Sequence, residues 1–106
     1  MDLHKIQQLI FLYRKELCKN RINPDILILF GSYSQKKATK ESDIDIAVVS
    51  SQFGKDRIKE GAKINFIASK IDARIEAIPI STRSYLDPLN ISPLVHEIRK
   101  TGIAMF

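Results

Sequence analysis

"FGSYSQKKATKESDIDIAVV" occupies residues 30–49 and holds the exit of one strand and the whole of the next. Just upstream, Ile26-Leu27-Ile28-Leu29-Phe30 is an unbroken apolar run bounded by turn residues, the pattern of a central strand buried on both faces. Gly31-Ser32 ends that strand. Residues 33–38 are expected to form a short helix and residues 39–42 a polar turn, with residues 43–49 the next strand. Alternation along this strand puts Asp43, Asp45, Ala47 and Val49 on one face and Ile44, Ile46 and Val48 on the other. Same-face neighbours lie about 6.5–7 Å apart, so two carboxylates there can converge on common ions. Left unneutralised they repel and raise each other's pKa. A divalent cation removes that conflict, and Mg²⁺ is commonly held by one or two carboxylates plus substrate phosphates. The plainer reading of Asp43 and Asp45 is the wet start of a half-exposed strand.

The preceding turn bears on that choice. Glycine lets the backbone turn sharply and approach a ligand closely. The Ser32 hydroxyl and the amides opening the following helix would then form an anion site. An anion-binding turn therefore leads after ten residues into a metal-type carboxylate pair, as a nucleotide with its cation requires.

Outward from this stretch, residues 3–19 read as a helix, with Leu3, Ile6, Ile10, Tyr13 and Leu17 on one face and Leu9 and Leu12 widening it. Phe11 lies off that face and is the first candidate for a subunit contact; Cys18 is expected to be a small buried filler. Residues 55–71 form a second expected helix, with Ile58, Ile64, Ile67, Ala68 and Ile71 inward and Gly61 marking a possible close approach. Residues 74–80 make a third strand, at or near a sheet edge because Pro79 removes a ladder donor. Ser92-Pro93 opens a last helix, N-cap then first turn, with Leu94, Val95 and Ile98 inward and Gly102 as its stop. Residues 103–106 can add a short strand. The expected fold is α/β (α+β), a small mixed β-sheet flanked by helices, and residues 1–106 are expected to form a single domain.

The net charge of +5 and the pI near 9.5 suit a polyanionic partner, a nucleoside triphosphate, or solubility alone. The basic residues are dispersed rather than gathered into a stripe, and there is no run of aromatics on which bases could stack. Nucleic acid is therefore not expected as a direct ligand. No apolar stretch approaches the ~20 residues that cross a bilayer. The charged N-terminal stretch does not read as a signal peptide, and one cysteine makes no internal disulfide. These features lead to an expectation of the cytoplasm, with no membrane. So short a chain buries a modest share of its surface, which leaves room for a partner subunit or a homo-oligomer.

"GSYSQKKATKESDIDIAVV" resembles the Gly-Ser, about ten residues, Ser-Asp-x-Asp signature of the minimal nucleotidyltransferases in the DNA polymerase β superfamily. "RIEAIPIS" is similar to the later strand carrying that family's third acid, and "SPLVHEIRKTGIAM" to its closing helix. The resemblance covers most of the chain. It implies a polymerase β-like core and transfer of a nucleoside monophosphate from an NTP, most simply AMP from ATP, to an acceptor hydroxyl. It implies that Gly31 and Ser32 hold the β- and γ-phosphates, aided by Lys36, Lys37 and Ser42. It implies that Asp43, Asp45 and Glu76 hold two Mg²⁺ ions, or Mn²⁺, with Glu76 also taking the acceptor's proton. Asp72 is the rival third acid, sharing the parity of Glu76 if the strand begins early. Glu76 is preferred because it lies within the apolar run. An ion pair of Glu76 with Arg74 or a neighbouring lysine is the structural alternative.

One departure from the family pattern is Gln35-Lys36, where relatives often carry Arg-Gly; a lysine supplies charge but not the planar fork. Short members of this family are often paired with a small helical HEPN protein, as toxin and antitoxin, the transferase placing AMP on the toxin. A nucleotide-binding protein that acts by occluding its partner, with little turnover, is the alternative function.

Overall fold

The computed structural model describes residues 2–39 and 41–106; Lys40, which the sequence places with Lys36 and Lys37 as a basic residue suited to a triphosphate tail, lies outside them. The order is α1 (Leu3–Lys19), β1 (Ile26–Phe30), β2 (Ile44–Ser50), α2 (Arg57–Ser69), β3 (Ile75–Ser81), α3 (Thr82–Leu86), α4 (Pro93–Thr101) and β4 (Ile103–Met105). The four strands form one mixed sheet in the order β3-β2-β1-β4. β1 runs antiparallel to β2 and β4, while β2 and β3 are parallel and joined through α2. The expected mixed sheet flanked by helices is the observed one.

Strand alternation divides the core in two. Leu27, Leu29, Ile44, Ile46, Val48, Ile75 and Ala77 pack beneath α1 and α2. Ile28, Phe30, Ala47, Val49 and Ile80 pack beneath α4 through Val95 and Ile98. The Tyr13 hydroxyl donates to the Ile64 carbonyl at 2.9 Å and so ties α1 to α2 inside the first layer. Burial holds that hydroxyl well above its usual pKa, so it remains a donor.

Several expectations need correction. Residues 31–36 form hydrogen-bonded turns and not a short helix; the Gln35 amide donates to the Gly31 carbonyl and Lys36 takes φ +58°. β2 begins at Ile44, so Asp43 stands one residue before the strand. Ile58 is 85 % exposed; it lies nine residues before Ile67, about half a turn out of phase on a helix. Leu3 and Leu12 are also exposed, as is Cys18. Gly61 makes no close approach, since a Cβ there would meet Pro79 Cδ at an ordinary 3.7 Å.

β3 is the edge strand that Pro79 foretold. Its outer side is closed by Asn65 of α2, whose side-chain amide donates to the Ala77 carbonyl at 2.8 Å and accepts from the Ala77 amide at 2.9 Å. This imitates a neighbouring strand and removes a sticky edge. Asn65→Ala is expected to cost about 1–3 kcal/mol by stranding both groups. Urea unfolding should show a lower midpoint at unchanged slope; an unchanged midpoint would mean that water satisfies the edge equally well.

Candidate active site

The strand register assembles the acidic end of the sheet. Asp45 lies opposite Phe30 of β1 and opposite Glu76 of β3. By parity Asp45 and Glu76 face the α4 layer, not the α1–α2 layer. Gly31 follows Phe30 with φ +72°, and a Cβ built there would fall 2.2 Å from Asp45 Oδ2. The Gly-Ser turn and the Asp-x-Asp pair thus meet in space: the glycine is required because the second aspartate's carboxylate lies where a side chain would be.

A further acid comes from α4. Glu97 adds its charge to the field at Asp45, and its Oε1 accepts from Gln35 Nε2 at 3.4 Å. Reading the sequence missed Glu97. It stands among surface charges of an amphipathic helix, and only the packing of Val95 and Ile98 on the sheet turns it toward the site. Gln35, which departs from the family pattern, thereby has a partner in the fold.

Burial raises the Asp45 carboxyl to about 6, and the neighbouring charges of Glu76, Asp43 and Glu97 push the same way. Asp43 and Glu76 are exposed. Although its strand neighbours Ile75 and Ala77 are buried, Glu76 carries its charge in water. Asp72, the rival acid, is committed elsewhere. Arg74 Nη2 meets its Oδ2 at 2.8 Å, and the guanidinium holds the carboxyl below its ordinary pKa. Arg74 thus pairs with Asp72 rather than serving as the foreseen partner of Glu76.

The remaining expected residues are distributed around the turn. Ser32 is half-buried, and its carbonyl accepts from the Lys37 amide at 2.9 Å. Lys36 and Lys37 are exposed; Lys36 lines a cleft of about 530 Å³ beneath the start of α1, with Tyr33, Ser34 and Thr39. The Ser42 hydroxyl accepts from the Thr39 amide at 2.8 Å and so closes the turn leading to Asp43.

Among the described residues no three His, Cys, Asp or Glu groups stand close enough to hold a metal ion between them. The strand register sets Asp45 beside Glu76, while Asp43 stands one residue before β2, and the three carboxylates do not converge as they lie. The donor set nonetheless fits a hard divalent cation. It is made of carboxylate oxygens, and at Asp45 burial and three like-charged neighbours disfavour ionisation, a conflict that a cation relieves.

A small mixed sheet of this order flanked by helices is a nucleotidyltransferase-type core, and comparison with known proteins agrees. The family model described as "Polymerase beta, Nucleotidyltransferase" matches residues 14–106. The chain belongs to this family and is a nucleotidyltransferase. Among solved structures it is similar to the toxin-antitoxin with AMP-PNP, at 25% identity and TM-score 0.54, covering 94% of this chain and 72% of that one. It is likewise similar to a mutant of the toxin-antitoxin MntA-HpeT, at 26% identity and TM-score 0.55, covering 100% of this chain and 72% of that one. A second MntA-HpeT mutant, at 23% identity and TM-score 0.53, covers 94% and 72% and shares the fold. No curated protein matches the sequence significantly. Among the described residues no helix is long and apolar enough to cross a membrane.

Proposed function

We propose that residues 1–106 act as one unit that transfers a nucleoside monophosphate, AMP from ATP, to a hydroxyl on a partner protein, as the antitoxin half of a toxin–antitoxin pair. The observation that carries this is Asp45 in register with Glu76 while its carboxylate lies against Gly31, in a chain of the polymerase β nucleotidyltransferase family. Similarity to toxin-antitoxin structures, one holding AMP-PNP, supports both the nucleotide and the kind of partner. The partner we envisage is a small helical HEPN protein, with both proteins in the cytoplasm.

In this reading Gly31 and Ser32 approach the β- and γ-phosphates, since glycine lets the backbone come close and the serine adds a donor. Lys36 and Lys37 offer charge from exposed positions on the same turn. Asp43, Asp45 and Glu76 hold divalent cations, with Mg²⁺ the expected ion and Mn²⁺ a substitute. Bound there, such ions polarise the α-phosphate and neutralise the departing pyrophosphate. The acceptor oxygen forms a bond to the α-phosphorus as the bond from that phosphorus to pyrophosphate breaks. The hydroxyl proton passes to the Glu76 carboxylate, which is exposed and therefore reachable. Ser42 acts at one remove, by fixing the turn that presents Asp43.

The test uses purified protein, Mg²⁺ and a lysate of the source cells, with ATP labelled at the α- or the γ-phosphate. Label is expected to enter a protein from the α position only, and not with Asp43→Asn/Asp45→Asn. No α-label despite measured Mg·ATP binding would turn the reading to occlusion of the partner without transfer.

A further inference from the structure

The segment from Leu86 to Ile91 combines two properties that seldom occur together. It is firmly braced. The guanidinium of Arg99 in α4 donates to the Tyr85 carbonyl, with Nε at 2.8 Å, and to the Asp87 carbonyl at 2.9 Å, and it stacks 5.5 Å from the Tyr85 ring. Asn90 donates to the Ser84 carbonyl at 2.9 Å and accepts from the Ser92 amide at 2.8 Å; Asp87 accepts from the Leu89 amide at 2.9 Å. Yet the same segment turns its apolar side chains outward: Leu86 is 66 %, Leu89 82 % and Ile91 94 % exposed. The loop is ordered by polar contacts and shows large apolar groups to water. Clustered exposure of that kind marks an interaction surface, and prior ordering lowers the entropy lost on binding.

Its position selects the occupant. A shallow groove of about 570 Å³ runs from Ile91 and Pro93 past His96 and Lys100 to Glu97, the α4 acid whose charge acts on Asp45. The groove thus joins Ile91, at the end of the ledge, to Glu97 on the α4 face, the face toward which Asp45 and Glu76 point. A polar nucleic acid or a free sugar has nothing to bury against Leu89 and Ile91, whereas a protein surface does. A second exposed apolar patch, Phe11 and Leu12 with Phe106, belongs to α1, which covers the opposite face, as does α2 with its exposed Ile58 and Phe66. That patch, the foreseen subunit contact, cannot by itself aim a hydroxyl at Asp45.

We propose that the 86–91 ledge is the surface on which the protein acceptor docks, an apolar depression on the acceptor receiving Leu89 and Ile91 so that its hydroxyl meets the Asp45–Glu76 end of the sheet. This rests on transfer to a protein as proposed above. It adds which surface chooses the acceptor and the acceptor's chemistry.

Leu89→Asp/Ile91→Asp is compared with wild type and with Phe11→Asp/Leu12→Asp in the α-labelled ATP reaction at several lysate dilutions. Affinity for a fluorescent ATP analogue with Mg²⁺ is measured in parallel. The ledge variant should lose protein labelling about tenfold or more at limiting lysate, recover partly in concentrated lysate, and bind the analogue as wild type does. Should it melt below wild type, Leu89→Ser/Ile91→Ser is expected to show the same loss. Equal labelling by the ledge variants overturns the assignment. So does loss confined to the Phe11/Leu12 variant, or labelled product that nuclease destroys and protease does not. If the wild type itself labels nothing, the proposed function has failed, and the docking surface falls with it.

Discussion

Asp45→Asn is expected to abolish transfer and, at the same time, to make the free protein more stable. Burial and three like-charged neighbours raise the Asp45 carboxyl from 3.8 to about 6. A raised acid pKa means that the folded state holds a proton which the unfolded chain releases. Stability therefore falls as pH rises through the window from about 4 to about 6 and stays depressed above it. At face value two pKa units correspond to about 3 kcal/mol. Partial exposure of Asp45 screens that, leaving about 1–2 kcal/mol. Asparagine keeps the shape and carries no charge. At pH 7.5 the variant should melt about 5–10 °C above wild type, and near pH 4 the two should coincide. Thermal melts across that range check the claim; a difference that does not change with pH would mean that Asp45 is not electrostatically strained. Mg²⁺ should raise the wild-type melting temperature at pH 7.5 and that of the variant little, because only the wild type has the charge conflict to relieve. Transfer should drop by at least about a hundredfold, the loss associated with removing one electrostatic stabiliser of a transition state.

Gly31→Ala should damage both fold and activity. Its φ of +72° costs an L-residue about 1–2 kcal/mol. The new Cβ would also fall 2.2 Å from Asp45 Oδ2, so the carboxylate must move or the turn must open. A displacement of about 1 Å at a reacting centre can cost about a hundredfold in rate. The expected outcome is a loss of about 2 kcal/mol in denaturant unfolding and a fall in α-label transfer of about that hundredfold. Gly61→Ala is the internal control: its Cβ would lie 3.7 Å from Pro79 Cδ in a helix interior, so it should stabilise by about 0.5–1 kcal/mol. If Gly31→Ala behaved like Gly61→Ala, the turn would not be held against the aspartate as described.

How far the fold could be read in advance varied with the range of the interactions. α1 was legible because Ile6, Ile10, Tyr13 and Leu17 repeat at helical spacing, and its bounds match those expected. Ser92 as N-cap and Pro79 as an edge signal are backbone properties of single residues, and both held. Ile58 misled because an apolar residue in a first turn looks inward until its phase against Ile67 is counted. Residues 33–38 misled because a polar run between strands can satisfy its amides as turns as readily as in a helix. The choice of Glu76 over Asp72 rested on apolar flanks. What the sequence could not show is the register, which sets Glu76 beside Asp45, and the ion pair by which Arg74 engages Asp72.

The sequence by itself determined the central strands, the amphipathic helices, the glycine turn and the alternation that puts Asp45 and Ala47 on one face; each follows from the geometry of neighbouring residues. Tertiary structure alone decided the rest. Gln35 meets Glu97 across 62 positions, Asn65 closes an edge 12 positions away, and Arg99 braces a loop whose apolar side chains stay in water. No local periodicity encodes such contacts, because each depends on two surface-patterned segments being brought together by the packing of side chains elsewhere.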